Sequence, residues 1–397
     1  MNPRAKTYTI LGMRKLVSLF FILTLVVYFI TSSGKTPYDY FTRLADSFAQ
    51  GKYYLEDNPP WLSELIPAEN NKYYVVYPPM PAILSIPFVL IFGHNFQQQY
   101  LAHILGAGIV GLTMLTAWKF KKDLKLLIFI GLLVSVGNII WFLSSVGSSW
   151  YLGQVCAAFF MTAAIYESLN KKRAILTGIF LGAMFLSRIH TVLIFPLFLY
   201  LYFDKKMWLK NYLSLTFGAI PFLLFNFYYN FVRFGTIFDQ AYFILPSVLN
   251  ELDKPWFANG VANPIYIPNN LRVMFLSFPV ITQTFPYIIP SWAGLAIWIT
   301  TPLFIFTLFN KIKDKLVLNS WISIILIFIV VASHGGTGWT QFGYRFAVDF
   351  YPLLFLLLIK YFSHNKIKKI HWILLFIGIV VNTWGVLFIN KFGFVTF

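Results

Sequence analysis

The sequence predicts an all-α polytopic integral membrane protein, with about eleven transmembrane helices and outer-face loops that contain short interfacial helices. Three observations predict it. The 397 residues are 58% hydrophobic and only 11% charged, with 44 Phe and 12 Trp, a make-up far from that of a soluble globular domain. Apolar runs long enough to cross a bilayer recur along the whole chain. Lys and Arg fall in short clusters between those runs, as the positive-inside rule requires of cytoplasmic loops.

The first run, roughly 16 to 32, has a basic start and an apolar core. It is too long for an ordinary signal core, and ITSSGKTPYD offers no small-x-small site, so it is expected as an anchor. A first outer loop follows, roughly 33 to 98. Within it MPAILSIPFVLIFG, Met80 to Gly93, is short and carries Pro81 and Pro87; it is expected as a re-entrant or interfacial helix, because a crossing there would carry the KFKKD loop outside. Spans are expected over roughly 99 to 118, 126 to 143 and 150 to 168.

Two short runs, roughly 174 to 187 and 190 to 203, form a tight hairpin over Thr177 to Phe203, whose apex, Ser187 to His190, reaches the outer face. One continuous helix would bury Arg188 near mid-membrane and set KKR and DKK on opposite sides. Further spans are expected over roughly 211 to 229, 289 to 309, 316 to 333 and 371 to 390, with a short run at roughly 349 to 363 that needs tilt, thinning or protein cover. A second large outer loop lies at roughly 230 to 288 and a last one at roughly 334 to 348. The six basic clusters begin at Arg4/Lys6/Arg14/Lys15, Lys119, Lys171, Lys205, Lys311 and Lys366. All land on one side if the N-terminus is cytoplasmic and about eleven helices cross, in one domain over 1–397.

Several function classes fall away. The +17 charge does not gather on a water-facing surface, so nucleic acid is not an expected partner. The single cysteine, Cys156, lies in an apolar run. No P-loop, GxGxxG, G-x-S-x-G, HExxH or paired-cysteine spacing occurs, and His190 and His334 lack the spacing of a zinc site. No inverted repeat of the transporter kind is found.

The outer charges carry the chemistry. In TPYDYFTRLADSF, Asp39, Arg43 and Asp46 share one helical face just beyond the first span. Asp39 reads either as a local ion-pair partner of Arg43 or as a base at the membrane surface. In NNKYYVVYPPMPAIL, Lys72 and Tyr77 read as belt residues or as a phosphate ligand beside a sugar-stacking wall. Arg188, beside His190, needs a partner or a ligand, or else snorkels or binds carbonyls. In SHGGTGWTQFGYRFAVDFYPLLF, Arg345 follows Tyr344 and either pairs with Asp349 four residues on or binds a phosphate.

Four motifs in this order resemble the GT-C superfamily of membrane glycosyltransferases, in particular bacterial relatives of the protein O-mannosyltransferases: PYDYFTRLADSFAQGKYYLED, KYYVVYPPMPAILSIPF, GIFLGAMFLSRIHTVLIFPLFLYL and FGYRFAVDFYPLL. The resemblance spans most of 36 to 362. It implies transfer of a sugar from a polyprenyl-phosphate donor to a glycan, lipid or protein acceptor on the outer face of a bacterial plasma membrane, with inversion. By the resemblance Asp39 would take the place of the first-loop catalytic Asp, alone or helped by Asp46; an anionic leaving group needs cations beside it, for which Lys72, Arg188 and Arg345 are the candidates, with Tyr77, His190 and Tyr344 as further substrate-binding residues. In many relatives a second acid follows the first directly; here that position is Tyr40. A divalent cation could assist, but the sequence requires none. A transporter or flippase, and a polymerase or ligase of lipid-linked saccharides, are the alternatives. The transporter should gather its charges near the membrane midplane, whereas this chain gathers them in outer loops.

Overall fold

A computed structural model describes residues 3–338 and 340–395, with side chains from residue 11 onward, so the side chains of Arg4 and Lys6 and the whole of Trp339 lie outside the described residues. Helix α1 (Pro3–Ile30) leads to the amphipathic α2 (Tyr40–Ala49), a hairpin of β1 (Leu65–Ala68) and β2 (Lys72–Val75), and the short α3 (Met80–Phe92). Then come α4 (Gln99–Phe120), α5 (Leu124–Val136), α6 (Ile140–Val146), α7 (Ser149–Asn170) and α8 (Ala174–Phe185). A 3-10 stretch, Ile189–Ile194, enters α9 (Phe195–Tyr202), followed by α10 (Trp208–Phe234), α11 (Ala241–Val248) and α12 (Ile267–Leu276). A two-residue hairpin, β3 (Val280–Ile281) with β4 (Ile288–Ile289), precedes α13 (Ile297–Thr300) and a 3-10 run, Pro302–Phe309. Helix α14 (Lys315–Ala332), a 3-10 turn Arg345–Phe350, α15 (Tyr351–His364) and α16 (Lys369–Val386) complete the bundle.

Among the described residues seven helices are long and apolar enough to cross a membrane, and the pair α5–α6, bent by 48°, makes an eighth if it is one span. Helix α4, helix α7 and the Arg345–His364 segment form the protein-covered centre; α1, α10 and α16 turn most of their apolar surface outward. In a bundle that lies in lipid, such exposed apolar faces meet acyl chains and need no protein cover.

Three expected spans take another form. The run over 126 to 143 breaks at Asn138, whose Nδ2 donates to the Leu133 and Val134 carbonyls while its Oδ1 accepts the Ile140 N–H, so the side chain replaces helical bonds at the bend. The single helix expected over 289 to 309 is not formed. Pro290, Gly294 and Pro302 divide that run into strand, turn, α13 and the 3-10 segment, each proline removing a backbone donor. The short run at 349 to 363 is instead part of a 20-residue apolar segment, because the 3-10 turn extends it back to Arg345. The Thr177 to Phe203 hairpin does break at its apex: α8 ends at Phe185 and the chain reverses through Ser187 and Arg188.

The lysine-rich loops gather at the end of the bundle opposite α2. There Lys360 Nζ pairs with Asp314 Oδ2 at 2.6 Å and Lys172 Nζ donates to the Leu201 carbonyl at 3.5 Å. Small residues set the α8–α10 crossing. A Cβ on Gly178 would stand 2.0 Å from the Leu215 carbonyl oxygen, and one on Gly218 would stand 2.1 Å from that of Ile175. Backbone cannot yield as a side-chain tip does, so Gly178→Val forces the two helices apart. We expect it to cost about 1–3 kcal/mol or more, read as a lowered thermal midpoint in detergent, whereas Gly12→Ala, which meets nothing within 4 Å, leaves the midpoint unchanged.

Candidate active site

The loop end of the bundle is built around two glutamines that hold backbone. Gln98, at the start of α4, accepts the Phe41 N–H at 3.3 Å and donates to the carbonyls of Tyr38 and Gly147 at 3.2 and 2.9 Å. Ser149 Oγ donates to the same Tyr38 carbonyl at 2.8 Å. Asp39 therefore sits on a pinned backbone at the N-cap of α2, although its side chain makes no capping bond. It takes instead the Arg43 Nε–H at 2.8 Å, and Arg43 reaches on to Asp57. Asp46, two turns along α2, engages Gln50 Nε2 at 2.7 Å and His94 Nε2 at 3.0 Å rather than Asp39.

The second glutamine, Gln154 of α7, donates to the Arg345 carbonyl at 2.9 Å and accepts from Arg345 Nη1 at 3.3 Å, across 191 residues of chain. The Arg345 guanidinium lies over the rings of Phe346 and Tyr151, at 5.0 and 5.6 Å, and its Nε donates to the Gly338 carbonyl at 3.4 Å. Arg345 is 9% exposed, yet among the described residues no carboxylate pairs with it. Of the two readings of Arg345, the pair with Asp349 is not formed. Asp349, fully buried, gives its Oδ2 to Arg188 Nη2 and to His190 Nε2, both at 2.8 Å, with Arg188 Nε at 3.2 Å. Arg188 thus has a carboxylate partner, whereas among the described residues Arg345 has none in contact and feels Glu64 and Asp349 only at longer range, a buried position that is costly unless an anion joins it.

That arrangement makes a stability prediction. Arg188→Ala leaves the buried Asp349 carboxylate to His190 alone, and breaking a buried pair costs about 3–5 kcal/mol. We expect a marked fall in thermal midpoint. The Arg188→Ala/Asp349→Ala double variant should lose less than the two single variants summed, and strictly additive losses would contradict the pairing.

Glu64, within the first outer loop, is a member of this end that the sequence did not single out as a site residue. Its Oε2 accepts Trp150 Nε1–H at 2.9 Å, and its own N–H donates to Tyr40 Oη at 3.1 Å. Trp150 in turn lies against the Tyr38 ring at 4.6 Å, so both neighbours of Asp39 in sequence touch the Glu64 unit. Burial raises the Glu64 carboxyl to about 7; the Trp150 bond and the charge of Arg345 pull the other way, and Glu251 adds to the rise. His334, half-buried, is lowered to about 4, first by loss of solvation and then by the charges of Arg188, Arg345 and His190, while its bond with Gly336 opposes the shift. Tyr242 on α11 is raised to about 12, by burial before all else, while the arginines 188 and 345 oppose the rise. Tyr77 packs edge-on to Tyr40 at 5.3 Å and near Trp150 at 6.5 Å, and among the described residues its buried hydroxyl has no bonding partner.

Two predicted residues stand elsewhere. Tyr344 is fully buried and its hydroxyl donates to Asn270 Oδ1 at 2.9 Å. Lys72 lies over the Tyr54 ring at 4.4 Å and lines a separate cleft of about 440 Å3 with Glu69, Asn70, Tyr74 and Arg233. Among the described residues no three His, Cys, Asp or Glu side chains come together as a cation would need; His190 and Asp349 make two, and Arg188 occupies the same carboxylate oxygen.

No family model and no curated protein matches this sequence. Solved structures do match its shape. ArnT from Cupriavidus metallidurans, bound to undecaprenyl phosphate, is similar with a TM-score of 0.56 over 92% of this chain and 63% of ArnT, at 14% identity. The Archaeoglobus fulgidus oligosaccharyltransferase in its apo form is similar with a TM-score of 0.55 over 95% of this chain and 55% of its own, also at 14% identity. The chain shares the fold of these two proteins. It is a multi-pass integral membrane protein, and it spans less than two thirds of the length of either neighbour. In this structure α2, the α8–α9 apex and the turn before α15 converge on the first turns of α7: Phe41 and the Ser187 carbonyl both stand 3.9 Å from the Cβ position of Gly153, and Gln154 holds the Arg345 carbonyl.

Proposed function

We propose that this chain is a glycosyltransferase that moves a sugar from a polyprenyl-monophosphate carrier to an acceptor, at the membrane face opposite the lysine-rich loops. The observation that carries the reading is the buried Arg345 guanidinium, which lacks a carboxylate partner among the described residues while Arg188 beside it has one. A departing phosphate supplies the missing anion, and an arginine fork suits it. The structural neighbour bound to undecaprenyl phosphate supports the carrier class.

In the reaction the anomeric carbon loses its bond to the carrier phosphate oxygen and gains one to the acceptor oxygen from the opposite face. The electron pair leaves with the phosphate toward Arg345, and the acceptor proton passes to a carboxylate. We assign that proton to Asp39, whose backbone is pinned by Gln98 and Ser149. A second reading gives it to Glu64, because a carboxyl raised to about 7 is matched to a base working near neutrality. The rings of Tyr38 and Trp150, backed by the buried Tyr40 and Tyr77, supply flat apolar surface for a sugar ring. Purified protein incubated with a panel of polyprenyl-phosphate sugars and candidate glycan, lipid and peptide acceptors should yield a glycosylated product and free polyprenyl phosphate. Failure with every donor, by a protein that still binds polyprenyl phosphate, would favour a carrier-lipid transporter instead.

A further inference from the structure

The longest uncharged stretch outside the bundle's spans belongs to no part of the site. From Val273 to Asn310 the chain carries no Asp, Glu, Lys or Arg, and its centre is the β3–β4 hairpin, where Ile281 pairs with Ile288 and Val280 with Ile289. The hairpin hides little of its apolar surface: Ile281 is 84% exposed, and Phe278, Phe285, Tyr287, Ile288 and Trp292 are each exposed by half or more. In water such a patch would be a liability.

Its height in the bundle is fixed by contacts. The Phe285 ring meets Phe394 edge-on at 4.8 Å. Phe394 follows the turn at the end of α16, where Asn390 Nδ2 donates to the Thr31 carbonyl at 3.2 Å and Lys391 Nζ to that of Ser32 at 3.3 Å. Thr31 and Ser32 cap the apolar span Leu11–Ile30. The hairpin therefore stands level with the ends of two membrane helices, at the depth where Trp, Tyr and Phe belts collect.

Its stem is bonded to the loop that carries Arg345. Ala293 and Trp292 give their carbonyls to Gln341 Nε2 at 2.6 Å and to the Thr340 N–H at 3.0 Å. Leu295 donates to the Phe342 carbonyl and accepts the Tyr344 N–H, both at 3.0 Å.

We propose that the β3–β4 hairpin is a membrane anchor: its tip lies in the lipid leaflet at the site end of the bundle, and its stem fixes the Arg345 loop at headgroup depth. The partner is lipid, with apolar side chains among the upper acyl chains and the Trp and Tyr rings at the boundary. Only the usefulness of that depth for a lipid-borne phosphate rests on the transferase reading; the insertion does not.

The test uses the full chain in phosphatidylcholine vesicles, with Ile281→Cys carrying an environment-sensitive fluorophore; the native Cys156 is buried and stays unlabelled. Glu69→Cys, in the exposed β1–β2 turn, is the aqueous reference. We expect a blue-shifted Ile281 probe, quenched several-fold more than the reference by lipids bearing a nitroxide high on the acyl chain and several-fold less by aqueous iodide. Ile288→Cys should behave alike. Emission and iodide quenching equal to those of the reference would place the hairpin in water. Protection from both quenchers would mean that protein, such as a second copy of the chain, covers it. Either result overturns the proposal.

Discussion

Arg345→Ala is expected to lower transfer by about 100- to 1,000-fold, the usual consequence of removing one donor aimed at developing negative charge. The unusual part is what it leaves intact. Because no carboxylate among the described residues pairs with Arg345, its removal strands no paired counter-charge; what is lost are the long bonds to Gln154 and Gly338, the ring contacts with Tyr151 and Phe346 and a longer-range attraction to Glu64. We expect thermal stability to move by about 1 kcal/mol or less. Arg188→Ala should do the reverse in part, losing stability through Asp349 as well as activity. Arg345→Lys retains a point charge but not the planar fork, so it should recover part of the rate. If Arg345→Ala unfolded the protein, Arg345 would be a structural strut and the phosphate role would fall.

Asp39→Asn is the second large effect. A positioned base contributes about 100- to 10,000-fold, and the amide keeps the shape while losing the proton acceptor. The Arg43 partner would be left with Asp57, so the α2 fold should survive. Glu64→Gln separates the two carboxylates. A Glu64 base must be ionised to act, and with its carboxyl raised to about 7 activity would climb as pH rises through 7 and vanish below it. If Asp39 is the base, the Glu64→Gln protein keeps most of its rate at pH 8 while Asp39→Asn loses it there. A rate limb near pH 7 that disappears in Glu64→Gln, together with an active Asp39→Asn, would move the role to Glu64.

Much of this was legible in the chain because hydropathy and charge rules act locally. The apolar spans, the basic end and the break at Arg188 all follow from runs of neighbouring residues. The failure over 289 to 309 is equally physical: average hydropathy does not register where Pro290, Gly294 and Pro302 interrupt a helix. The two spacings of four show where local reasoning holds and stops. Asp39 and Arg43 pair because α2 is α-helical, with 3.6 residues per turn. Arg345 and Asp349 do not, because Arg345–Phe350 is a 3-10 turn in which positions three apart are stacked and four apart diverge. Asp349 finds Arg188 across 161 residues and Glu64 finds Trp150 across 86, separations that no pattern of spacing encodes. The burial of Glu64, from which its candidacy as a base comes, follows from that long-range folding.

The central claim is that Arg345 receives the phosphate of a carrier lipid as the sugar leaves. The most direct measurement reconstitutes wild-type and Arg345→Gln proteins in vesicles holding a polyprenyl-phosphate sugar labelled in the sugar, and follows cleavage of the sugar–phosphate bond separately from movement of the intact lipid across the bilayer. The account predicts cleavage with inversion at the anomeric carbon in the wild type and its near loss in Arg345→Gln. Movement of intact donor without cleavage, or equal cleavage by both proteins, would contradict it.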